Sequence, residues 1–275
     1  MTLGSLERAG HDSSVSLPSP RLTGMLPARR PLVLLTATVR PNTRLNVSLT
    51  DPDVRLQQYQ TAFRDWAAIA DRLDFGLLIV ETSGEPFDVL LKEVPESHVG
   101  RIDLVHHTPA PESIERGKGH MEWGAIRTGL GHIGTPDASR TIFKVTGRLV
   151  VTNPEQCMGE LQQHSARLRM RIDGTLADTR LLGATYEVWR DHLLPCAEDI
   201  DLQQGIDIEH AVGANLTRAR LLKQVRIDPF PERPLFLGES AFDGKRMRPG
   251  LTRLKGLMLR PVERAVSAAA SAIGH

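Results

Sequence analysis

Features that would indicate a familiar function class are scarce in this chain of 275 residues. It has only two cysteines, Cys157 and Cys196, which form no CxxC pair, so we predict two reduced, partly buried thiols. No apolar run reaches 18 residues, so we expect no segment that spans a bilayer. The first thirty residues contain no apolar core of a signal peptide, and we therefore expect a cytoplasmic protein.

Common catalytic motifs are absent as well. The ten histidines show neither HxH nor HExxH spacing, so no dedicated metal site is expected. The GxSxG turn of α/β-hydrolases is missing. A net charge of only +1 predicts no general affinity for nucleic acid.

One helix is clearly marked in the sequence. Asp51 is a suitable N-cap and Pro52 suits the first helical position. Apolar residues then recur every three or four positions and predict a helix that ends near residue 73, with Phe63 and Trp66 in the core. The stripe consists of Leu56, Tyr59, Phe63, Trp66, Ala70 and Leu73.

Apolar runs of strand length alternate with helical segments, which is typical of an α/β sheet. We predict strands at 32–39, 75–80, 102–106, 141–145 and 149–151, and helices at 120–130 and 154–164. Beyond residue 167 the pattern weakens. There we expect a strand at 169–172, helices at 185–194 and 205–210, and short strands at 225–227 and 235–237.

Polar and cationic residues gather where these strands end. In open α/β sheets, ligands bind outside the carboxyl ends of the strands. Glycine backbone beside a fixed positive charge suits a phosphate, so the sequence predicts a phosphate-bearing small molecule. The candidates are Thr36, Thr38, Arg40, Asn42, Glu81, Thr82, Ser83, Lys118, Glu122, Lys144, Thr146, Gly147 and Arg148.

Simpler interpretations of these segments stay open. Lys118, between two glycines, would also suit a flexible surface turn, and Arg148 a tight turn on the surface. Two acidic residues further on could act as a general base. Glu209 would be kept ionised by the dipole at a helix start, or would be an ordinary helix carboxylate. Asp178 would alternatively be an N-cap or the partner of Arg180 in a salt bridge.

Five segments occur in an order that resembles a group of bacterial glycosyltransferase-like proteins of surface polysaccharide and lipopolysaccharide assembly. They read LLTATVRPN, DPDVRLQQYQTAFRDW, LLIVETSG, RGKGHMEWGAI and KVTGRLVV. The resemblance covers residues 32–151 and continues weakly through DTRLLGATYEVW and GIDIEH. It implies a GT-A-like α/β fold, with a Rossmann-type, mostly parallel sheet flanked by helices.

The resemblance also implies roles for individual residues. Thr82 stands where the group usually has Asn, and KVTGR stands where many GT-A enzymes carry a metal-binding DxD. Because cations in that place could neutralise the leaving diphosphate, we expect a metal-independent, inverting glycosyltransferase without a cofactor. The expected nucleotide-sugar contacts are Thr36, Arg40, Asn42, Glu81, Ser83, Lys118, Glu122, Lys144, Gly147 and Arg148, with Glu209 and Asp178 as catalytic candidates.

The chain is expected to divide into three parts. Residues 1–30 would be a disordered leader. Residues 31–245 would form the catalytic domain, with a donor half at 31–151 and an acceptor half at 152–245. Residues 246–275 would form a basic amphipathic helix that contacts the inner face of the plasma membrane near a glycan or glycolipid acceptor.

Two other function classes are alternatives to a glycosyltransferase. A non-catalytic nucleotide-binding or scaffold protein of the same fold would carry the same cationic residues. A methyltransferase would usually have a glycine-rich loop after its first strand, where this chain has Arg40-Pro41-Asn42. A nucleotidyltransferase would usually keep acidic metal ligands, which the sequence does not show.

Overall fold

The computed structural model describes residues 30–42, 49–171, 173–239 and 246–247. The strands are β1 Leu32–Ala37, β2 Gly76–Glu81, β3 Ile102–His106, β4 Thr141–Thr146, β5 Val150–Val151, β6 Ser165–Met170, β7 Ala177–Thr185, β8 Arg226–Asp228, β9 Phe236–Glu239 and β10 Arg246–Met247. The α-helices are α1 Pro52–Leu73, α2 Phe87–Leu90, α3 Glu96–Val99, α4 Pro111–Arg116, α5 Lys118–His132, α6 Pro154–Cys157, α7 Tyr186–Val188 and α8 Ile208–Leu221. A π-helix at Trp189–Leu193 and 3₁₀-helices at Leu194–Glu198 and Leu202–Gln204 join α7 to α8.

Seven strands form the central sheet in the order β3-β2-β1-β4-β7-β6-β8. Strand β7 is antiparallel to both β4 and β6, and the other neighbouring pairs are parallel. Six strands therefore run in one direction and β7 alone runs against them. The predicted α/β class, with a mostly parallel sheet flanked by helices, is confirmed. A small second sheet has the order β10-β9-β5.

Two apolar layers cover the sheet, because successive side chains of a strand point to opposite faces. Val33 and Leu35 of β1 pack in the layer of α1, with the predicted core residues Phe63 and Trp66. Leu34 faces the other layer, which contains residues of α5 and α8. Strand β1 is thus buried on both faces, as its unbroken apolar run indicates.

All three indoles of the chain lie in these layers and are fully buried. The Trp66 Nε1–H donates to the Leu149 carbonyl at 2.8 Å. Trp123 donates to the Leu193 carbonyl at 2.7 Å, and Trp189 to the Ile142 carbonyl at 3.0 Å. Each buried indole N–H is therefore satisfied by backbone from another element.

Helix α1 begins and ends as the sequence predicts. The Asp51 carboxylate accepts from the amides of Asp53 and Val54, at 2.9 and 3.2 Å, and Pro52 occupies the first turn. The helix ends at Asp74, whose left-handed backbone lets its N–H donate to the Ala70 carbonyl. Local capping chemistry and the apolar stripe together define this helix.

Three predictions for the second half are wrong. The helix expected at 154–164 is only the short α6, and β6 begins at Ser165, earlier than the strand expected at 169–172. Strand β7 was not predicted at all. The short helix expected at 205–210 begins at Ile208 and continues to Leu221. The predicted helicity at 185–194 is present as α7 and the π-helix.

The remaining expectations concern the cysteines and the ends of the chain. Cys157 and Cys196 are both free and buried. The expected leader and C-terminal helix lie outside the described residues, apart from residue 30 and from residues 246 and 247, which form β10. Among the described helices, none is both long and apolar enough to cross a membrane.

Candidate active site

A cleft opens at the carboxyl ends of β1, β2 and β4. These strands are neighbours and run in the same direction, so the residues after them meet at one edge of the sheet. Five of the ten expected nucleotide-sugar contacts line the cleft, namely Thr36, Asn42, Lys118, Glu122 and Arg148, and so do the further candidates Thr38, Thr82 and Thr146. Lys118 and Arg148, 30 positions apart in sequence, therefore line one cavity.

Lys118 is brought to the cleft by a sharp bend between two helices. Helix α4 ends at Gly117, whose φ of 101° strongly favours glycine, and α5 starts at Lys118. A Cβ on Gly119 would lie 3.1 Å from Ile208 Cβ, so the start of α5 packs closely on the start of α8. Half-buried Lys118 makes no hydrogen bond or salt bridge within the described ranges of the chain.

Arg148 is held in a tight turn after β4. The Leu149 amide donates to the Thr146 carbonyl at 2.8 Å, and a Cβ on Gly147 would lie 2.2 Å from the Thr36 carbonyl oxygen. Gly147 thus lets the turn contact the end of β1. The Arg148 side chain is buried, and its Nη1 donates to Gln58 Oε1 at 2.6 Å. This partner is a neutral amide, so the positive charge of Arg148 is not neutralised by it.

Lys144 lies beneath the cleft and not in its lining. Its ammonium is fully buried and pairs with Glu122 Oε1 at 2.7 Å. It also donates to the Thr179 carbonyl at 2.9 Å and to Thr146 Oγ1 at 3.4 Å. An ammonium has three donors, and all three have protein acceptors here. The structure therefore does not place Lys144 for the direct diphosphate contact that was expected.

Glu122 is the carboxylate that interacts with both Lys144 and Lys118. Thr36 Oγ1 donates to the same Glu122 oxygen at 3.0 Å. Burial opposes ionisation of Glu122, but the charges of Lys144 and Lys118 and the hydrogen bonds from Lys144 and Thr36 outweigh it and hold its pKa below the usual range. Glu122 is thus an ionised anchor for the floor of the cleft.

The cleft remains strongly cationic despite Glu122. Burial lowers the pKa of Lys118; Glu122 opposes this, while the nearby charges of Arg148, Lys144 and Arg55 lower that pKa further. Lys118 is therefore close to three other cations and to a single ionised carboxylate of the described lining, Glu122, which is already paired with Lys144. A bound anion would relieve their mutual repulsion.

Arg55 and Tyr59 line the cleft but were not predicted to do so. Arg55 is buried, and its Nε donates to the carbonyls of Thr38 and Val39 at 2.9 and 3.1 Å. Its Nη1 donates to the Leu49 carbonyl at 3.0 Å, and Tyr59 OH accepts from the Thr38 amide at 3.0 Å. Arg55 therefore fixes the backbone that follows β1. The available signal was a charged residue on the apolar stripe, four positions before Tyr59.

Three predicted contacts build the loop beside the cleft instead of lining it. The fully buried Glu81 carboxylate accepts from the amides of Ser83 and Glu85, at 2.8 and 3.1 Å. Ser83 Oγ accepts from the amides of Val39 and Arg40, at 2.9 and 3.1 Å, and the Arg40 side chain pairs with Glu85.

Thr82, the residue that replaces Asn in the resemblance, does line the cleft, and its hydroxyl is hydrogen-bonded to that of Thr38 at 2.6 Å.

Asp178 is engaged by two arginines. Its carboxylate lies 2.5 Å from Arg180 Nη2 and 3.5 Å from Arg169 Nη1. Burial alone would raise the pKa of Asp178, but the hydrogen bond and charge of Arg180, with the charge of Arg169, lower it overall. The salt bridge that the sequence left open as an alternative is thus present. Asp178 is not among the described residues that line the cleft.

Glu209 occupies the first turn of α8, as predicted. Its Oε1 accepts from Thr179 Oγ1 at 2.9 Å, and Thr179 is also the residue whose carbonyl binds Lys144. Burial raises the pKa of Glu209, and the negative charges of Asp207 and Glu122 raise it further. The helix dipole would favour the ionised form of Glu209, and burial acts in the opposite direction. Glu209 lies next to the floor, outside the cleft lining described here.

Comparisons with known proteins return structures only. No family model and no curated protein sequence matches the chain. One similar structure is a provisionally assigned nucleotide-diphospho-sugar transferase from Desulfovibrio desulfuricans G20, with 14% identity, a TM-score of 0.45 and coverage of 73% of this chain and 80% of that one.

A second is the galactosyltransferase LgtC with donor and acceptor sugar analogues, with 10% identity, a TM-score of 0.43 and coverage of 67% and 70%. A third is the mannosyltransferase PcManGT from Pyrobaculum calidifontis with GDP-Man and Mn²⁺, with 13% identity, a TM-score of 0.43 and coverage of 89% and 74%. Because these TM-scores lie below 0.5, the likenesses settle neither the activity nor the substrate of this chain.

Proposed function

We propose that this protein is a glycosyltransferase that moves a sugar from a nucleotide-diphosphate donor to a glycan or glycolipid acceptor. The observation that carries the proposal is the pair Lys118 and Arg148, which line one cleft with no anionic partner bonded to either side chain in the described structure. Two cations that line one cleft suit a ligand with two adjacent phosphates. The sequence resemblance to glycosyltransferase-like proteins of surface polysaccharide assembly points in the same direction.

The same residues suggest how the donor is cleaved. The leaving diphosphate gains negative charge as its bond to the anomeric carbon breaks, and Lys118 and Arg148 would stabilise that charge in the transition state. Lys144 lies beneath the cleft and would hold Glu122 of the lining in place through their salt bridge. Among the described lining residues Glu122 is the one carboxylate, and its pairing with Lys144 suits a mechanism without a metal ion or other cofactor.

Glu209 is the better of the two predicted bases. In this proposal the acceptor hydroxyl attacks the anomeric carbon, Glu209 takes the hydroxyl proton, and the diphosphate leaves from the opposite side with inversion. A carboxyl with a raised pKa is a stronger base than an ordinary glutamate. Asp178 is less suited because Arg180 and Arg169 stabilise its charge.

Binding of unmodified nucleotides tests the proposal most directly. We expect UDP or GDP to bind the purified protein in calorimetric titrations, with equal affinity with and without manganese. Arg148→Ala should weaken that binding by about 1.5–3 kcal/mol, because a charged hydrogen bond is lost. Absence of binding by any nucleoside diphosphate would end the transferase proposal, and an unchanged affinity in the variant would remove Arg148 from the site.

One observation favours the alternative, a non-catalytic nucleotide-binding protein of the same fold. Glu209 is hydrogen-bonded to Thr179 and does not line the cleft, so the described structure could bind a nucleotide without a base in reach. Glu209→Gln separates the two functions. A transferase should keep nucleotide affinity and lose turnover in this variant, whereas a binding protein should lose nothing measurable.

Location and acceptor are part of the proposal. We place the enzyme in the cytoplasm at surface polysaccharide assembly, with no nucleic-acid partner. Contact of residues 248–275 with the membrane stays a prediction, because these residues lie outside the described structure.

A further inference from the structure

The far end of α8 exposes two adjacent leucines. Leu221 is 77% exposed and Leu222 is 58% exposed, more than any other large apolar side chain in the described structure. Helix α8 ends here, and Lys223 follows in a left-handed conformation with φ of 57°. Two neighbouring leucines on a helix end lose favourable burial, so the exposed pair calls for an explanation beyond the fold.

Basic residues precede and follow this pair in the sequence. Arg218, Arg220 and Lys223 are all exposed and form no salt bridge with any residue of the ranges described above. We refer to Arg218, Arg220, Leu221, Leu222 and Lys223 as the α8-end patch.

Two carboxylates on neighbouring segments, Asp228 and Asp173, each already form a salt bridge with an arginine. Asp228 pairs with Arg226 at 2.7 Å. Asp173 pairs with Arg171 at 3.2 Å, in the loop that Thr217 contacts through the Gly174 carbonyl at 2.9 Å. The three cations of the α8-end patch are therefore not neutralised by these neighbours.

Two simpler explanations account for only part of the patch. The helix dipole favours cations at a helix C-terminus, which explains the arginines but not the leucines. A second copy of the chain would cover the leucines but bring three further cations against the first three. Two side chains also fall far short of the roughly 800 Å² per partner that a stable interface buries.

We propose that the α8-end patch docks the protein on an anionic lipid surface. Leucines at the headgroup boundary bury apolar surface, while arginine and lysine side chains bind lipid phosphates. Exposed leucines together with nearby cations that form no salt bridge in the described structure match an anionic membrane better than a neutral one. The proposal does not depend on the transferase activity.

The patch is well separated from the cleft. Helix α8 has 14 residues, with Glu209 in its first turn and Leu221 at its end. At 1.5 Å per residue the two ends lie about 20 Å apart. Docking through the patch therefore leaves the cleft free, and vesicles and nucleotide should not compete.

Co-sedimentation of the full chain with vesicles tests the proposal. We expect binding to phosphatidylcholine vesicles that contain phosphatidylglycerol, little binding to pure phosphatidylcholine, and weakening with added salt. Leu221→Ser/Leu222→Ser should reduce the affinity roughly tenfold by the loss of buried apolar area. Val54→Ser, which removes a 41% exposed apolar side chain elsewhere, should change nothing.

A second pair of variants tests the charges. Arg218→Gln/Arg220→Gln should reduce the affinity by roughly 10- to 30-fold. Arg64→Gln/Arg190→Gln changes the net charge equally at exposed sites outside the patch and should leave binding intact.

If the full chain does not bind anionic vesicles, or if both patch variants bind as the wild type does, the proposal is wrong. The patch variants keep the basic residues of 248–275, so unchanged binding would assign lipid contact elsewhere.

Discussion

The lining of the cleft and the floor beneath it contain the same kind of residue in opposite situations. On the floor, Lys144 has an acceptor for every donor, including Glu122 and the Thr179 carbonyl. In the lining, Arg148 has one neutral partner bonded to its side chain and Lys118 has none within the described residues. A cation with a full set of protein partners belongs to the fold, whereas one without them is available to a ligand. Substitutions of Lys144 and Lys118 test this difference.

Removing the floor cation should produce the largest effect. Lys144→Met deletes the closest partner of the buried Glu122 carboxylate, and breaking a buried ion pair costs about 3–5 kcal/mol of unfolding free energy. Urea unfolding measures the loss. The double variant Lys144→Met/Glu122→Gln should recover part of it, because no unpaired charge is left. A loss below about 1 kcal/mol would show that the floor is not held by this pair.

The same substitution in the lining should act on binding instead of folding. Lys118→Met removes a half-buried charge with no bonded partner, so unfolding free energy should stay the same or rise. Affinity for UDP or GDP should fall by about 1.5–3 kcal/mol in calorimetric titrations. Lys92→Met, on an exposed surface, provides the matched control. If Lys118→Met unfolds the protein as Lys144→Met does, the distinction between lining and floor fails.

The turn after β4 can contact the end of β1 because Gly147 has no side chain. Gly147→Ala would place a Cβ 2.2 Å from the Thr36 carbonyl oxygen, and we expect a loss of about 1–3 kcal/mol in thermal or urea unfolding. Gly131→Ala, where a Cβ on α5 meets nothing within 4 Å, should instead stabilise by up to about 1 kcal/mol. Equal effects in the two variants would contradict this account.

The smallest effect concerns the pH dependence of stability. Burial raises the pKa of Glu209 in the folded protein, so its stabilising contribution is complete below the unfolded pKa and is lost as the pH rises through the folded pKa. Glu209→Gln is neutral at every pH. The unfolding free energy of the variant relative to wild type should therefore increase as the pH rises above about 4, the ordinary pKa of a glutamate.

Asp178 offers the opposite sign for comparison. Its folded pKa is lowered despite burial, because of its arginine partners, so its contribution is present above the unfolded pKa and lost as the pH falls through the folded pKa. The unfolding free energy of Asp178→Asn should be lower than that of wild type near neutral pH, and this difference should shrink as the pH falls. Parallel slopes for the Glu209 and Asp178 variants in urea unfolding at several pH values would show that the two carboxyls do not differ as described.

The sequence predicts those elements that depend on interactions between residues close together in the chain, and it misses those that depend on distant residues. Helix α1 was predictable because its cap, its proline and its stripe are local. Strand β7 was not, because Asp178 and Arg180 interrupt its apolar pattern and pair with each other in the folded sheet. The helix expected at 154–164 stops after Cys157, because Met158 has an extended backbone, and the chain enters β6 at Ser165.

The candidate site shows the same division. Glycines next to Lys118 and Arg148 indicate a backbone that must bend or approach closely, and both residues line the cleft. The role of Lys144 depends on Glu122 of α5 and on Thr179 of β7, which no local pattern reveals. Arg55 was missed because its carbonyl partners belong to the loop after β1.

The indole bonds give the protein an optical reporter of its own cleft. Trp66 is bound to the carbonyl of Leu149, the residue after Arg148, and Trp123 is the residue after Glu122. A ligand that contacts Arg148 or displaces Glu122 should change the surroundings of Trp66 and Trp123, two of the three tryptophans. Occupancy should therefore be readable from intrinsic emission, without a dye or a label.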